Sequence, residues 1–123
     1  MTAITEVFAG IAVADYHAAR DWYERLLGRP ADMLPHESEA AWRLTEHGWV
    51  YVVADPPRAG TALLTLLVDD LDAQVAGLAE RGLATDPIET LSNGVRKAAI
   101  ADPDGNRITF GQPPAAPSDA RSA

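Results

Sequence analysis

Val7, Ala9, Ile11 and Val13 place similar apolar side chains at every second position, the spacing that turns one face of a β-strand toward a core. From Asp15 the period changes: Ala18/Ala19, Trp22/Tyr23 and Leu26/Leu27 recur as pairs at helical spacing. Asp15 offers a side-chain oxygen to the free amides of a first turn, and Gly28 can take the left-handed conformation that closes a last one. The pattern predicts a strand followed by a helix with both ends marked.

The same order returns in the second half. Leu64, Leu66 and Val68 alternate, Asp70 offers a cap, Leu71, Val75 and Leu78/Ala79 form a stripe, and Gly82 ends it. Asp15 and Asp70 are 55 residues apart, Gly28 and Gly82 54, so the chain reads as one unit present twice. Strand-like stretches follow each helix, at 42–45 and 49–54 in the first half and 95–101 and 107–111 in the second. Glu46-His47-Gly48 turns the first hairpin and Asp102-Pro103-Asp104-Gly105-Asn106 the second. Residues 32–38 and 84–90 are weaker strands; each contains proline, which points to a sheet edge. The fold class is therefore α+β, with two βαβββ modules at about 5–57 and 61–112 within one domain, 1–112.

Composition narrows the function. A chain of 123 residues suits one domain, and 47% hydrophobic against 23% charged residues is ordinary for a folded protein. The formal charge of −8 repels phosphate backbones and anionic lipid, which argues against nucleic-acid or membrane partners. Cysteine is absent, removing disulfides, thiolate metal sites and cysteine nucleophiles together. The first residues lack a basic segment leading into an apolar run, and no stretch has the ~20 apolar residues of a membrane span, so the expectation is a cytoplasmic protein. Residues 113–123, rich in Pro, Ala and Ser, are expected to be a disordered tail. No glycine-rich phosphate loop or G-x-S-x-G elbow is present. The carboxylates of the 102–106 turn lack the spaced oxygen ligands of a calcium loop.

Ile11-x-Val13-x-Asp15, Asp21-Trp22-Tyr23-x-x-Leu26-Leu27-Gly28 and Asp102-Pro103-Asp104-Gly105-Asn106-x-Ile108, in this order, resemble the vicinal oxygen chelate superfamily of glyoxalases, bleomycin-resistance proteins and extradiol dioxygenases. The resemblance spans residues 6–112. It implies curved mixed sheets around a concave cup with the helices on the convex face, and a ligand or divalent metal held in the cup between two modules. Strand parity then turns Phe8, Gly10 and Ala12, Leu63, Thr65 and Leu67, and Arg107, Thr109 and Gly111 into the cup. Val7, Ile11 and Val13, Leu64, Leu66 and Val68, and Ile108 and Phe110 go beneath the helices.

The superfamily's four metal-ligand positions, carried across through Asp15, Asp70 and the 102–106 turn, fall on Phe8, Tyr51, Leu63 and Thr109. Phenyl and alkyl groups offer no lone pair, and neutral hydroxyls are poor donors, so no metal and no cofactor is expected. His17, His36 and His47 occupy none of these positions and read as surface or structural residues. The spacing of His36, Glu37 and Glu39 does not converge their side chains on one point. Phe8, Trp49 and Tyr51 share inward parity, and Trp42 joins them if the hairpin pairs Glu46 with Trp49; filling the core is the competing role for Trp42 and Trp49. Arg43, Arg96 or Lys97 could bring charge to the rim.

The expected function is metal-independent binding of a small, partly aromatic organic molecule by a homodimer, as in antibiotic-sequestering relatives of the fold. The expected ligand site is Phe8, Trp42, Trp49, Tyr51, Leu63 and Thr109, and no residue is assigned a catalytic role. Two alternatives remain open. One is a glyoxalase-like or dioxygenase-like enzyme, metal-dependent or metal-free; the other is a structural or regulatory dimer whose cup is filled by its own side chains.

Overall fold

The period-two segments become two four-stranded sheets and the helical stripes two helices, in a computed structural model that describes residues 2–115. The first module contains β1 (Val7–Val13), α1 (Tyr16–Leu27), β2 (Met33–His36), β3 (Glu39–Arg43) and β4 (Gly48–Ala54). After a 3-10 turn at Pro56–Arg58, the second contains β5 (Leu63–Leu67), α2 (Leu71–Glu80), β6 (Glu89–Thr90), β7 (Arg96–Ala101) and β8 (Arg107–Gln112). The sheet orders β1-β4-β3-β2 and β5-β8-β7-β6 are the same, and β1/β4 and β5/β8 are the parallel pairs. The duplication read from the sequence is thus a repeat of topology. Of the expected tail, residues 116–123 lie outside the described residues.

The marked helix ends act through their caps. The Asp15 carboxylate accepts from the Ala18 amide at 3.1 Å, and the Asp70 carboxylate from the Ala73 amide at 3.0 Å. Gly28, at φ +78°, returns its amide to the Glu24 carbonyl. The buried faces of α1 and α2 share one apolar core with both sheets, including Ile11, Tyr23, Leu26, Leu78, Ile108 and Phe110. Val7, at the start of β1, departs from the expected burial: it is 61% exposed. The 84–90 segment forms only a two-residue strand, β6. Among the described residues, no helix is long and apolar enough to cross a membrane.

The 102–106 turn does more than reverse the chain. Asp102, 4% exposed, accepts the amides of Asp104 and Asn106 on Oδ1 and the Tyr23 hydroxyl and Asn106 side-chain amide on Oδ2, at 2.8–2.9 Å. Asn106, fully buried, also donates to the Ala12 carbonyl and accepts from the Ala62 amide, each at 2.9 Å. The second-module turn is therefore fastened to α1 and β1 of the first. Burial, followed by the negative charge of Asp102, raises the Tyr23 hydroxyl well above the ordinary tyrosine range and keeps it a donor.

Removing one donor from a buried carboxylate costs about 2 kcal/mol, while deleting an amide with several buried partners costs about 3 kcal/mol. Tyr23→Phe is therefore expected to destabilise the fold by the smaller amount and Asn106→Ala by the larger. Urea unfolding at one fixed protein concentration checks this ranking, with the denaturant slope unchanged.

Candidate functional site

On the first sheet, β1 and β4 run in parallel register with Phe8 beside Trp49 and Gly10 beside Tyr51. The Phe8 and Trp49 rings stack with centroids 5.2 Å apart and planes 15° from parallel. A Cβ at Gly10 would lie 2.5 Å from the Tyr51 ring, so glycine is what lets that ring lie against β1. Together these three aromatic residues give the concave side of the first sheet a platform. It is open: Phe8 is 46% exposed, and Trp49 and Tyr51 are half-buried.

Trp42 does not belong to this platform. The hairpin pairs Arg43 with Trp49 rather than Glu46 with Trp49, because the Leu44 and Thr45 amides both bond the Gly48 carbonyl and leave 44–47 as the loop. The shift of three residues reverses parity. Trp42 therefore pairs with Val50, is fully buried among core residues, and donates its indole N–H to the Arg29 carbonyl at 3.0 Å just beyond α1. Arg43 takes the concave side in its place, its guanidinium 5.9 Å from the Trp49 ring centroid, within cation–π range.

The platform's rim includes a residue that sequence patterning did not single out. Glu6, just before β1, has Oε2 2.8 Å from His47 Nδ1 and accepts the Trp49 indole N–H on Oε1 at 3.4 Å. Contact with His47 draws the Glu6 carboxyl below its ordinary value; partial desolvation opposes this and the Trp49 N–H assists it. His47 and Glu6 are 41 residues apart, a distance that hides the pair from any local motif.

The second sheet repeats the geometry with different chemistry. Leu63 lies beside Arg107 and Thr65 beside Thr109, so Thr109 stands to Leu63 as Tyr51 stands to Phe8. Leu63 and Leu67 are 84% and 68% exposed on edge strand β5. Thr109 faces a polar cavity of about 120 Å³, lined also by Asp86, Glu89, Lys97 and Arg107. Of the three charges expected at the rim, Arg43 and Lys97 lie on the concave sides. Arg96 instead grips Asp72 of α2 with both terminal nitrogens, at 2.9 and 3.0 Å, each group moving the other's pKa further from neutrality.

The six expected residues are thus divided. Phe8, Trp49 and Tyr51 gather on one sheet, Leu63 and Thr109 lie on the other, and Trp42 is in the core. Among the described residues, no strand of one sheet pairs with a strand of the other, so the two sets lie on separate sheets. A separate apolar cavity of about 490 Å³ opens between the modules, lined by Leu27, Leu44, Leu66, Leu67 and Phe110 among others, and by none of the six.

The superfamily's metal does not fit the residues present. Phe8 and Leu63 have no donor atoms, and the only polar atoms at the other two positions are neutral hydroxyls. Among the described residues, no group of three His, Asp or Glu side chains comes close enough to hold a metal ion.

Known structures place the fold in context. A glyoxalase/bleomycin resistance protein from Catenulispora acidiphila DSM 44928 is 48% identical, with a TM-score of 0.86, covering 90% of this chain and 100% of its own. TnmS3, an antibiotic binding protein from Streptomyces sp. CB03234, is 29% identical, with a TM-score of 0.73, covering 92% and 98%. A bleomycin-binding protein complexed with bleomycin is 20% identical, with a TM-score of 0.71 and coverage of 87% and 97%; at that identity the likeness is one of fold. A search of curated proteins found no match. The family profile described as Glyoxalase/Bleomycin resistance protein/Dioxygenase superfamily matches residues 5–110, nearly the whole repeat, and the chain belongs to that superfamily.

Proposed function

We propose that this protein binds a small, planar, partly aromatic organic molecule without a metal, on the concave face that carries Phe8, Trp49 and Tyr51. One observation carries the reading: a stacked Phe8–Trp49 pair, its Phe8 ring exposed and its Trp49 ring half-buried, lies where the superfamily's metal ligands would begin. Aromatic surface left partly in water is costly and offers a flat molecule a surface to stack on. Antibiotic binding by TnmS3, the more distant of the two sequence relatives described above, is in keeping with this use of the fold.

The same reading calls for a homodimer. β1 and β5 each have a free edge, and Phe8, Leu63 and Leu67 project from them. Free edges with exposed apolar side chains favour association. Two copies related by a two-fold axis, each setting its first-module face against the partner's second-module face, would bring the separated halves together twice.

Sedimentation is expected to give a dimer at tens of micromolar, on the order of ordinary weak association; a monomer there removes the paired cup.

In equilibrium dialysis against 2-naphthamide, Trp49→Ala is expected to weaken binding about tenfold, the loss of one good ring contact. Trp22→Phe, a change on the buried face of α1, is expected to leave binding unaltered. Binding that survives Trp49→Ala but is lost in Leu44→Trp, which fills the cavity between the modules, would move the site there.

Protein purified without an affinity tag is expected to contain well under one equivalent of Zn, Ni, Mn or Fe. A dialysis-resistant equivalent in elemental analysis would favour the enzyme alternative instead.

A further inference from the structure

The concave side of the second sheet carries more cationic donor capacity than its own structure uses. Arg107 begins β8 beside Leu63, and Lys97 lies on β7 with the same parity. Both border the cavity that contains Thr109. Each has an acidic neighbour, but loosely: Arg107 to Asp86 is 3.7 Å and Lys97 to Glu89 is 3.6 Å, beyond hydrogen-bond reach. All four side chains are more than two-fifths exposed, so these pairings hold the cations only weakly. Arg96, the residue before Lys97, shows the contrast, with its terminal nitrogens committed to Asp72.

A guanidinium with free N–H groups beside an ammonium and a hydroxyl is suited to a carboxylate, which accepts two parallel hydrogen bonds from such a fork. The cavity, at about 120 Å³ and lined by charged and hydroxyl side chains, suits a polar end group. The net charge of −8 makes the surrounding field unfavourable to anions, so any preference for one must arise locally.

We propose that the cavity formed by Lys97, Arg107 and Thr109 receives the carboxylate of the ligand whose rings stack on the Phe8–Trp49 platform of the partner protomer, making the ligand class planar aromatic acids. This rests on the planar-ligand reading above and gives it a polarity: rings on the first-module face, charge on the second. Asp86 and Glu89 are displaced from their cations when the carboxylate enters. On this proposal each site takes its rings from one copy and its cations from the other.

The test compares 2-naphthoate with 2-naphthamide, the same ring system with and without the charge, by equilibrium dialysis against the full chain. One charge-assisted hydrogen bond corresponds to roughly tenfold in affinity, so naphthoate is expected to bind about ten times more tightly. Arg107→Gln should reduce that ratio to within about threefold of unity by weakening naphthoate far more than naphthamide, and Lys97→Gln should act in the same direction. Arg20→Gln, the same charge change on the outer face of α1, should leave the ratio intact and so separates the local site from the overall field. Equal affinity of the two probes for the wild-type protein overturns the inference while the planar reading stands, provided naphthamide binding still depends on Trp49. A loss of both probes in equal proportion in Arg107→Gln also overturns it. If neither probe binds the wild-type protein, the planar reading fails and this inference fails with it.

Discussion

A single buried carboxylate holds the two halves of this molecule in register. Asp102 would be costly to leave alone in the interior, and its oxygens are met by four donors, three from its own turn and one from α1. Asn106 extends the same bonds to the end of β1 and the start of β5. The strands that bear Phe8 and Leu63 are thereby fixed relative to each other through a turn that touches neither side chain. Asp104 adds a further tie, accepting from the Ala14 amide at 3.1 Å just before α1. An apolar core alone could slide; a buried polar knot whose members each have specific partners has one arrangement.

With that joint in place, duplication has a chemical consequence. The same βαβββ topology places equivalent side chains on two concave faces, and the sequence has filled them differently. One face presents stacked rings with an arginine above them, the other a small polar cavity with two loosely held cations. The positions that would hold a divalent ion in other branches of the superfamily are divided between the faces and lack charged donors. On the proposed reading, recognition rests on shape, stacking and charge, with one half suited to a flat apolar body and the other to a polar end.

Much of this was legible along the chain. Asp15 and Asp70 determine where helices begin because a carboxylate one residue before the first turn reaches that turn's free amides, a purely local matter. The alternation of Leu64, Leu66 and Val68, or of Ile108 and Phe110, assigns strand faces because side-chain direction has period two irrespective of what lies opposite. The same rule puts Phe8, Tyr51, Leu63 and Thr109 on the strand faces opposite the buried core.

Three features depended on residues far apart in sequence. The loop at 44–47 set the hairpin register, and a shift of three residues exchanged Trp42 for Arg43 on the concave side, since parity cannot be known until the partner strand is aligned. The contacts of Glu6 with His47 and Trp49 join a strand's lead-in to a hairpin loop and leave no local spacing to detect. The 102–106 motif predicted a turn from its proline and glycine, but its role as the clasp between modules exists only once Tyr23, Ala12 and Ala62 surround it. Local sequence determined caps, periods and the face of each residue within its strand, because those are set by backbone geometry over a few residues. Tertiary structure alone decided which faces meet and which buried groups are satisfied, because those depend on the registers between strands and the packing of distant segments.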